Sequence, residues 1–365
     1  MADGTTEVAP KPTATVGRLA RFPLRKTIQL VIGIAVVAGA AWGAYRTISL
    51  GTFTGAAWRD LVVFGVAQGA IYMLIALGYS MVYGVLRMIN FAHGEVFMFG
   101  AFGSYFVARV LNDHGLINSS PVLSIAILMI AAMVCSVAVA VLLERVAYRP
   151  LRNAPRLVPL ITAIGASLFL QNTARGFFGD QDRGYPTPDS LGGSWTILGI
   201  PILRSSVIVI VVAVTMVAAL TWFVARTKTG KSMRAVAEDK DIASLMGINV
   251  DRVVVMTFVI GGMLAGVAAV LFALVFGLVG PFMGFVPGIK AFTAAVLGGI
   301  GSIAGAAIGG LILGVLESVG PALFLTGLKI PGPNQLKDVF TFTILVLVLI
   351  FRPGGIMGTG EPEKV

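Results

Sequence analysis

The feature that most constrains this chain is a series of long apolar runs that contain no charge. Such runs occupy residues 61–86, 115–143 and 205–225. An α-helix needs roughly 20 apolar residues to cross the hydrocarbon core of a bilayer. Only 12% of the 365 residues are charged and 57% are hydrophobic, whereas soluble domains carry about 25% charged residues. The sequence therefore excludes a soluble enzyme or binding module and predicts an all-α, polytopic helical membrane protein.

We predict about ten membrane segments, some of them short or discontinuous. The region from Arg252 to Lys290 is too long for one crossing, and its Gly and Pro residues from 277 to 288 predict a helix end and a turn at the membrane surface. Residues 298–301 interrupt the next apolar stretch, so we expect a short inbound piece and then an outbound helix from near Ser302. The remaining predicted segments are 27–45, the short run 95–109, 156–175 and 338–351.

The distribution of charge predicts the orientation. The tail 1–26 is rich in Lys and Arg, which predicts a cytoplasmic N-terminus followed by an uncleaved first span. Lys and Arg also concentrate in 145–156 and 226–252, whereas acidic residues prevail in 176–203. Because basic loops stay on the cytoplasmic side, we expect both termini in the cytoplasm.

The loop 226–252 contains the most informative polar stretch. Ala235, Ile242, Leu245 and Met246 can share one face of a helix, and Gly247 is placed to end it. We therefore predict one short amphipathic helix on the cytoplasmic side. It is either a plain surface helix or a docking element.

Small residues recur at intervals of four after the interruption at 298–301. Their spacing predicts two adjacent stripes on one helix, which suit close helix packing. The alternative is a discontinuous helix whose free backbone groups line a substrate cavity. The stripes are Gly301, Gly305 and Gly309, and Ala306, Gly310 and Gly314.

A polar insert, Met88–Glu95, separates two apolar runs of the first half. One interpretation is a cytoplasmic turn, with Glu95 near the N-terminus of the next helix, where a carboxylate is favoured. The other is a re-entrant element near a translocation path. We favour the turn for His93 and Glu95, whereas Asn90 fits both interpretations.

The sequence offers little material for catalysis or metal binding. It contains one cysteine and two histidines, His93 and His114, so we predict no disulfide within the chain and no metal site. His93 and Glu95 are two positions apart and would not face each other on a helix. Lys290 and Glu317 are the main ionisable residues within apolar stretches, and this scarcity argues against an ion-coupled transporter.

Several long motifs occur in a specific order, and the clearest are Gly78–Gly84, Met88–Glu95, Glu144–Arg152 and Lys290–Ser302. With these motifs the chain closely resembles the LivH-type permease subunits of branched-chain amino acid ABC importers. The resemblance covers residues 58–365. Shorter matching stretches are Leu160–Gly165, Ala237–Asp239, Met246–Asn249 and Thr257–Gly261.

The resemblance implies an ABC-importer permease fold with two pseudo-repeated, partly inverted halves and no enzymatic activity in this chain. It implies inward transport of Leu, Ile or Val across the bacterial inner membrane. The resulting division of the chain is a basic tail (1–26), an extra N-terminal helix and link (27–57), a permease domain (58–352) that contains the coupling loop 226–252, and a cytoplasmic tail (353–365).

The implied partners are a second, LivM-like permease, two cytoplasmic ABC ATPases and a periplasmic or lipid-anchored amino-acid-binding protein. The ATPases would bind ATP and Mg²⁺, and this chain would hold no cofactor. The family's coupling segment falls on Arg234, Ala235, Ala237, Glu238, Asp239, Ile242, Leu245, Met246 and Gly247.

Polar residues inside the apolar spans are candidates for lining the translocation path, although we favour interhelical hydrogen bonds for most of them. A related branch that carries urea or short amides shares the Asn-x-Ala-His-Gly-Glu element, so that cargo stays an alternative. A self-contained secondary transporter is a further one. The path candidates are Gln68, Tyr72, Asn90, Gln171, Asn172 and Thr293.

Overall fold

The computed structural model describes residues 24–357 except 153, 156, 198 and 353, so most of the predicted tails 1–26 and 353–365 lies outside the described residues. Within this part, nine helices are long and apolar enough to cross a membrane, and one shorter apolar helix adds a tenth segment. The helices are α1 (Leu24–Ser49), α2 (Gly55–Leu86), α3 (His93–Asp113), α4 (Leu116–Ser119), α5 (Pro121–Leu143), α6 (Leu157–Phe178), α7 (Arg204–Arg226), α8 (Lys228–Glu238), α9 (Lys240–Leu245), α10 (Val250–Phe276), α11 (Phe285–Gly298), α12 (Ile303–Gly320) and α13 (Lys337–Phe351).

Helices α2 and α10 form the core of the bundle and run antiparallel. Gly78 of α2 lies against Gly261 of α10, and the rings of Phe64 and Phe276 meet 6.3 Å apart nearer one end. Most of both helices is buried, although both are long enough to cross a membrane. They are therefore enclosed by other helices of the same chain rather than by lipid.

Helix α12 packs between α2 and α11 through its small residues. A methyl group at Gly314 would lie 2.2 Å from the Cα atom of Gly69, and one at Gly309 would lie 2.1 Å from the carbonyl oxygen of Ala294. No side chain fits at either distance, so the backbones are in direct contact. One pair, Gly310 and Gly314, faces α2, and the other, Gly305 and Gly309, faces α11.

Gly301 lies outside α12, so its predicted place on the same helix stripe is wrong. It occupies the break between α11 and α12 with a φ of 92°, a conformation that disfavours any side chain. The Ser302 side chain then caps α12 by accepting the backbone N–H of Gly305 at 3.1 Å. The short piece, the break and the long helix expected in this region are all present.

Two helix–turn–helix units of opposite direction meet at the centre of the bundle. Arg87 follows the end of α2 and Gly277 follows the end of α10, and both residues lie in the left-handed region with φ of 57° and 68°. In each unit the backbone then turns back into a second helix, α3 or α11, and these two helices touch at their starts. A methyl group at Gly94 would lie 2.4 Å from the carbonyl oxygen of Gly284. Because α2 and α10 are antiparallel, the units form an inverted repeat, as in many transporters.

The turn after α10 starts at the end of the bundle opposite the loop 226–252. Its strand β4 (Leu278–Val279) pairs antiparallel with β1 (Arg183–Gly184) of the loop after α6. The same loop holds a hairpin of β2 (Ser194–Ile197) and β3 (Ile200–Leu203). The predicted surface turn is therefore only the first part of a segment that continues inward to Gly284.

Helix α1 lies at the edge of the bundle and leaves most of its apolar surface exposed. Its closest contact is at Gly43, where a methyl group would lie 2.2 Å from the carbonyl oxygen of Phe324. A second contact joins Gly33 to the ring of Phe351 on α13. The extra N-terminal helix therefore adds to one side of the bundle without entering its core.

Candidate functional site

A buried carboxylate, that of Glu95, lies in the first turn of α3 and is 1% exposed. Its Oε1 atom accepts hydrogen bonds from Ser167 Oγ at 3.0 Å and from Gln171 Nε2 at 2.7 Å, both on α6. Its Oε2 atom has no hydrogen-bond partner among the described residues. That oxygen faces the start of α11, where a methyl group at Gly284 would lie 2.8 Å away. Half of the accepting capacity of this carboxylate is therefore unused.

His93 shows how deep this site lies. Methyl groups at Gly78 and Gly261 would lie 2.2 Å from its Nε2 atom and 3.5 Å from its Cε1 atom. Gly261 follows Val250, the first residue of α10, by about 16 Å of helix, which is half the thickness of a bilayer core. His93 and Glu95 are thus inside the bundle. The cytoplasmic turn predicted for them is wrong, and the re-entrant interpretation describes them.

The re-entrant segment folds inward and buries polar side chains whose hydrogen-bonding capacity is only partly used. Arg87 reverses the chain in the left-handed conformation, and Asn90 Oδ1 accepts the hydroxyl of Tyr148 at 2.8 Å. The His93 ring lies 4.9 Å from the ring of Tyr79, in an edge-to-face arrangement. Asn90 Nδ2 and His93 Nε2 find no hydrogen-bond partner in the described part of the chain. Three polar groups with unused capacity therefore surround the start of α3.

A second buried polar cluster joins α2, α11, α12 and α13. Lys290 Nζ lies 2.5 Å from Glu317 Oε1 and 2.6 Å from Asp338 Oδ1. Gln68 Nε2 donates to Glu317 Oε1 at 3.1 Å and to the hydroxyl oxygen of Tyr72 at 2.6 Å. Gln68 and Tyr72, two of the path candidates, therefore take part in a network between helices that compensates the charge of Glu317. The Oε2 atom of Glu317 has no hydrogen-bond partner among the described residues.

Two of the other path candidates lie in or beside the re-entrant segment, and two donate hydrogen bonds to their own helices. Gln171 contacts Glu95 directly, and Asn90 belongs to the re-entrant segment beside it. Asn172 is exposed and donates to a carbonyl of its own helix at 2.8 Å. Thr293 is buried and likewise donates to its own helix at 2.9 Å. Of the path candidates, the structure thus brings Gln171 into contact with Glu95.

The cytoplasmic amphipathic stretch consists of two helices, α8 and α9, so the prediction of one continuous helix is wrong. Asp239 interrupts it with an extended backbone, and its Oδ1 atom accepts the N–H groups of Asp241 at 2.8 Å and Ile242 at 2.9 Å. An Asp in this position is a strong start signal for a new helix. Gly247, with a φ of 82°, follows the end of α9.

The second of these helices presents apolar side chains on the outside of the bundle. Ile242, Leu245 and Met246 are 60%, 86% and 78% exposed. Beside them, a groove of about 560 Å³ between α8 and α10 is lined by polar and apolar groups and by two cations, Lys228 and Arg252. Ala235 lies on α8 and is partly buried, so it does not share the exposed face of α9. The remaining segment residues Arg234, Ala237, Glu238 and Asp239 lie on α8 or at its end.

Two cations tie α8 and α9 to the end of α2, an arrangement that we call the reciprocal cap. Arg87 Nη2 donates to the carbonyl of Ala237 at 3.2 Å, and Lys240 Nζ donates to the carbonyl of Leu86 at 3.3 Å. Each cation lies at a helix C-terminus, where the helix dipole favours positive charge. Burial, and then the proximity of Arg152 and Arg87, lowers the pKa of Lys240. Sequence reasoning missed this contact because its two halves are 150 residues or more apart.

An ionic network continues from the reciprocal cap to the ends of α5 and α10. Arg152 pairs with both Glu144 and Asp251, and Arg149 pairs with Asp251 at 2.9 Å. Glu144 is fully buried, whereas Asp251 and Arg149 are about half exposed. The network therefore connects the buried end of α5 to the first turn of α10 on the side of α8 and α9.

Known proteins are similar to this sequence over 82–83% of its length. The family model described as "Branched-chain amino acid transport system / permease component" matches residues 61–349. The high-affinity branched-chain amino acid transport system permease protein BraD of Pseudomonas aeruginosa is 45% identical over 307 residues, which are 83% of this chain and 97% of that protein. The LivH permease protein of Escherichia coli K12 is 44% identical over 306 residues, 82% of this chain and 96% of that protein.

A more distant relative matches a similar share of the chain. The probable branched-chain amino acid transport permease protein LivH of Methanocaldococcus jannaschii is 27% identical over 318 residues, 82% of this chain and 94% of that protein. Helix α1 precedes the residues matched by the family model. The chain from α2 to α13 accordingly belongs to the family of permease components of branched-chain amino acid transport systems.

Proposed function

We propose that this chain is the membrane-spanning permease subunit of an ATP-driven importer of branched-chain amino acids. The observation that carries the proposal is the 45% identity to a permease of that named transport, extending over 97% of its length. The inverted repeat and the polar site at its centre suit a protein that moves a solute without changing it. The chain itself performs no covalent chemistry.

The proposal assigns ATP and Mg²⁺ to two partner ATPases that dock on α8 and α9. The exposed apolar side chains of Ile242, Leu245 and Met246 would enter an apolar cleft of the ATPase, since isolated apolar groups of this size gain free energy by burial. The cationic groove between α8 and α10 supplies a polar rim for the same contact. A second permease and an amino-acid-binding protein complete the assembly.

Movement of the ATPases would reach the membrane through the reciprocal cap. Arg87 and Lys240 fix α8 and α9 to the end of α2. The same end of α2 continues into the re-entrant segment that carries Glu95. A displacement of α9 therefore shifts α2 and the central site together. The proposal includes a cytoplasmic location for both termini of the chain, which the Lys- and Arg-rich loops 145–156 and 226–252 support.

Uptake in membrane vesicles tests the proposal. Labelled leucine and labelled urea are offered to vesicles that contain this chain alone, or this chain with the second permease, both ATPases and the binding protein. We expect leucine uptake that requires ATP and every partner. Uptake by this chain alone would show a secondary transporter. ATP-dependent uptake of urea without leucine would show an ATP-driven importer whose substrate is urea.

A variant tests the docking surface separately. Leu245→Ser removes an apolar side chain that is 86% exposed, so the fold of the permease should be unaffected. We expect weaker co-purification of the ATPases and lower ATP-dependent uptake. Val122→Ser, at an 84% exposed position at the opposite end of the bundle, is the matched control and should retain both.

A further inference from the structure

The central carboxylate differs from every other buried carboxylate in the described part of the chain. Glu317 is paired with Lys290, and Glu144 is paired with Arg152. Glu95 has only two neutral donors, a hydroxyl and an amide, on one of its oxygens. A carboxylate buried without a cation is costly, and neutral hydrogen bonds offset only a part of that cost. The charge on Glu95 therefore has no compensation within the described residues.

The unused oxygen lies against the start of α11. A methyl group at Gly284 would lie 2.8 Å from Oε2, so the backbone of α11 packs closely on this oxygen, and a ligand reaches it only when a neighbouring helix moves away. Phe282, Phe285 and Val286 surround Gly284 in sequence, and each leaves more than a third of its surface exposed. We call these three side chains the apolar lip. A carboxylate behind an apolar lip presents charge and hydrophobic surface together.

The other side of Glu95 is formed by a helix that packs through a narrow face. α6 buries Ala163, Ser167 and Gln171, and the last two contact Glu95 of α3. Leu168 and Phe169 on the opposite side of α6 are 52% and 69% exposed. A helix held by so narrow a face can separate from α3 at little cost in buried apolar area. Separation of α6 from α3 would uncover Glu95 from this side.

We propose that Glu95 receives the ammonium group of the transported amino acid at the centre of the membrane, with its aliphatic side chain against the apolar lip. The proposal rests on the proposed function and names the group that recognises its substrate. An ammonium group supplies both the positive charge and the N–H donors that Oε2 lacks. An aliphatic side chain of the size of leucine suits an apolar contact surface without further polar groups.

Three ligands that differ by one group each test this assignment on the complete permease–ATPase complex without its binding protein. Leucine carries both charged groups, isoamylamine retains only the amine, and isocaproate retains only the carboxylate. We expect leucine and isoamylamine to raise the melting temperature of the wild-type complex, because binding to the folded state stabilises it. Isocaproate should leave the melting temperature unchanged. Equal shifts by isocaproate and isoamylamine would overturn the proposal.

Variants then locate the effect. Glu95→Gln removes the charge, and we expect it to abolish the shift by isoamylamine and to lower leucine uptake by at least about tenfold, the effect of losing one hydrogen bond to a charged group. Glu95→Asp retains the charge and should retain the preference for the amine. Glu317→Gln is the matched control, because that carboxylate is buried but already paired, and it should retain the amine-dependent shift.

The outcomes separate this inference from the proposed function. Leucine uptake by the wild-type complex together with unchanged uptake and ligand shifts in Glu95→Gln would refute the role of Glu95 and leave the importer assignment intact. Absence of ATP-dependent leucine uptake by the wild-type complex would refute the importer assignment itself. If the Glu95 variants do not assemble, the three ligands on the wild-type complex still decide whether an amine is recognised.

Discussion

Each of the two inverted units places a charged residue near the start of its second helix, and the surroundings of the two charges are opposite. In the unit of α2 and α3, Glu95 lies one turn from the start of its second helix and has neutral partners only. In the unit of α10 and α11, Lys290 lies near the start of its second helix and is paired with Glu317 and Asp338. One half of the repeat is electrostatically open, and the other is closed.

This difference indicates which half of the repeat stabilises the fold and which half takes part in transport. The closed cluster joins four helices, and removal of Lys290 leaves the buried Glu317 without a cation. The open site contributes little to holding helices together, since a buried and uncompensated charge opposes folding. We therefore expect the closed cluster to govern the free energy of unfolding and the open site to govern substrate movement.

The largest effect on stability should follow from Lys290→Met. The substitution keeps a long side chain at a buried position but strands Glu317 without its cation. Breaking a buried pair by removing one partner costs about 3–5 kcal/mol. The measurement is the melting temperature and the yield of monodisperse protein in detergent.

The double variant Lys290→Met with Glu317→Gln is the control for that prediction. Replacing both charges leaves only the half-exposed Asp338 without its cation, and no fully buried ion, so most of the lost stability should return. If the single and double variants are equally unstable, the side-chain volume at 290 matters and the ion pair does not. In that case the contrast between the closed and open halves would lose its basis.

A second large effect should follow from Gly314→Leu, which disrupts the scaffold shared by both units. A methyl group there already approaches the Gly69 Cα atom to 2.2 Å, so a leucine forces α2 and α12 apart. Overpacking of this kind costs about 3 kcal/mol. Gly165→Leu is the matched control, since nothing lies within 4 Å of a methyl group at that exposed glycine. Equal melting temperatures for the two variants would contradict direct contact of the backbones.

Much of this architecture could be predicted from the sequence because membrane helices are set by local hydrophobicity. The apolar runs, the break at 298–301 and the glycine spacing of α12 are all local signals. The depth of Glu95 is not local. It depends on Gly78 and Gly261, which leave space for His93 between helices that are distant in sequence. A short polar insert has the same composition on a surface turn and in a re-entrant segment.

The pairing of the buried charges could not be predicted from the sequence either. Lys290 and Glu317 stood out as charges in apolar stretches, yet their contact depends on the packing of α11 against α12. The break at Asp239 could have been found, because Asp before a Lys-Asp-Ile sequence is a helix start signal. The continuous amphipathic face at 235–246 obscured it.

A smaller effect on stability, with a large effect on transport, should follow from Arg87→Ala. This change removes one half of the reciprocal cap, which is worth about 1 kcal/mol as a charge at a helix C-terminus. We expect ATP hydrolysis by the assembled complex to continue while leucine uptake per ATP falls severalfold. Lys240→Ala should act in the same direction, because it removes the other half.

Arg145→Ala is the comparison variant for the reciprocal cap. It removes a cation from the same end of the bundle, and this cation forms no salt bridge within the described residues. Uptake per ATP should remain at the wild-type level. A loss equal to that of Arg87→Ala would mean that cationic charge in this region matters and that the contact with Ala237 does not.

The smallest effect on stability should be that of Glu95→Gln, and its sign distinguishes the two halves of the repeat. Glutamine retains a carbonyl oxygen that can accept from Ser167 and Gln171, and it removes a charge that nothing in the described residues compensates. The melting temperature in detergent should stay at the wild-type value or rise. A decrease as large as that of Lys290→Met would mean that the charge of Glu95 holds helices together in the ligand-free protein. Both halves of the repeat would then be structural, and transport would have to depend on polar groups elsewhere in the assembly.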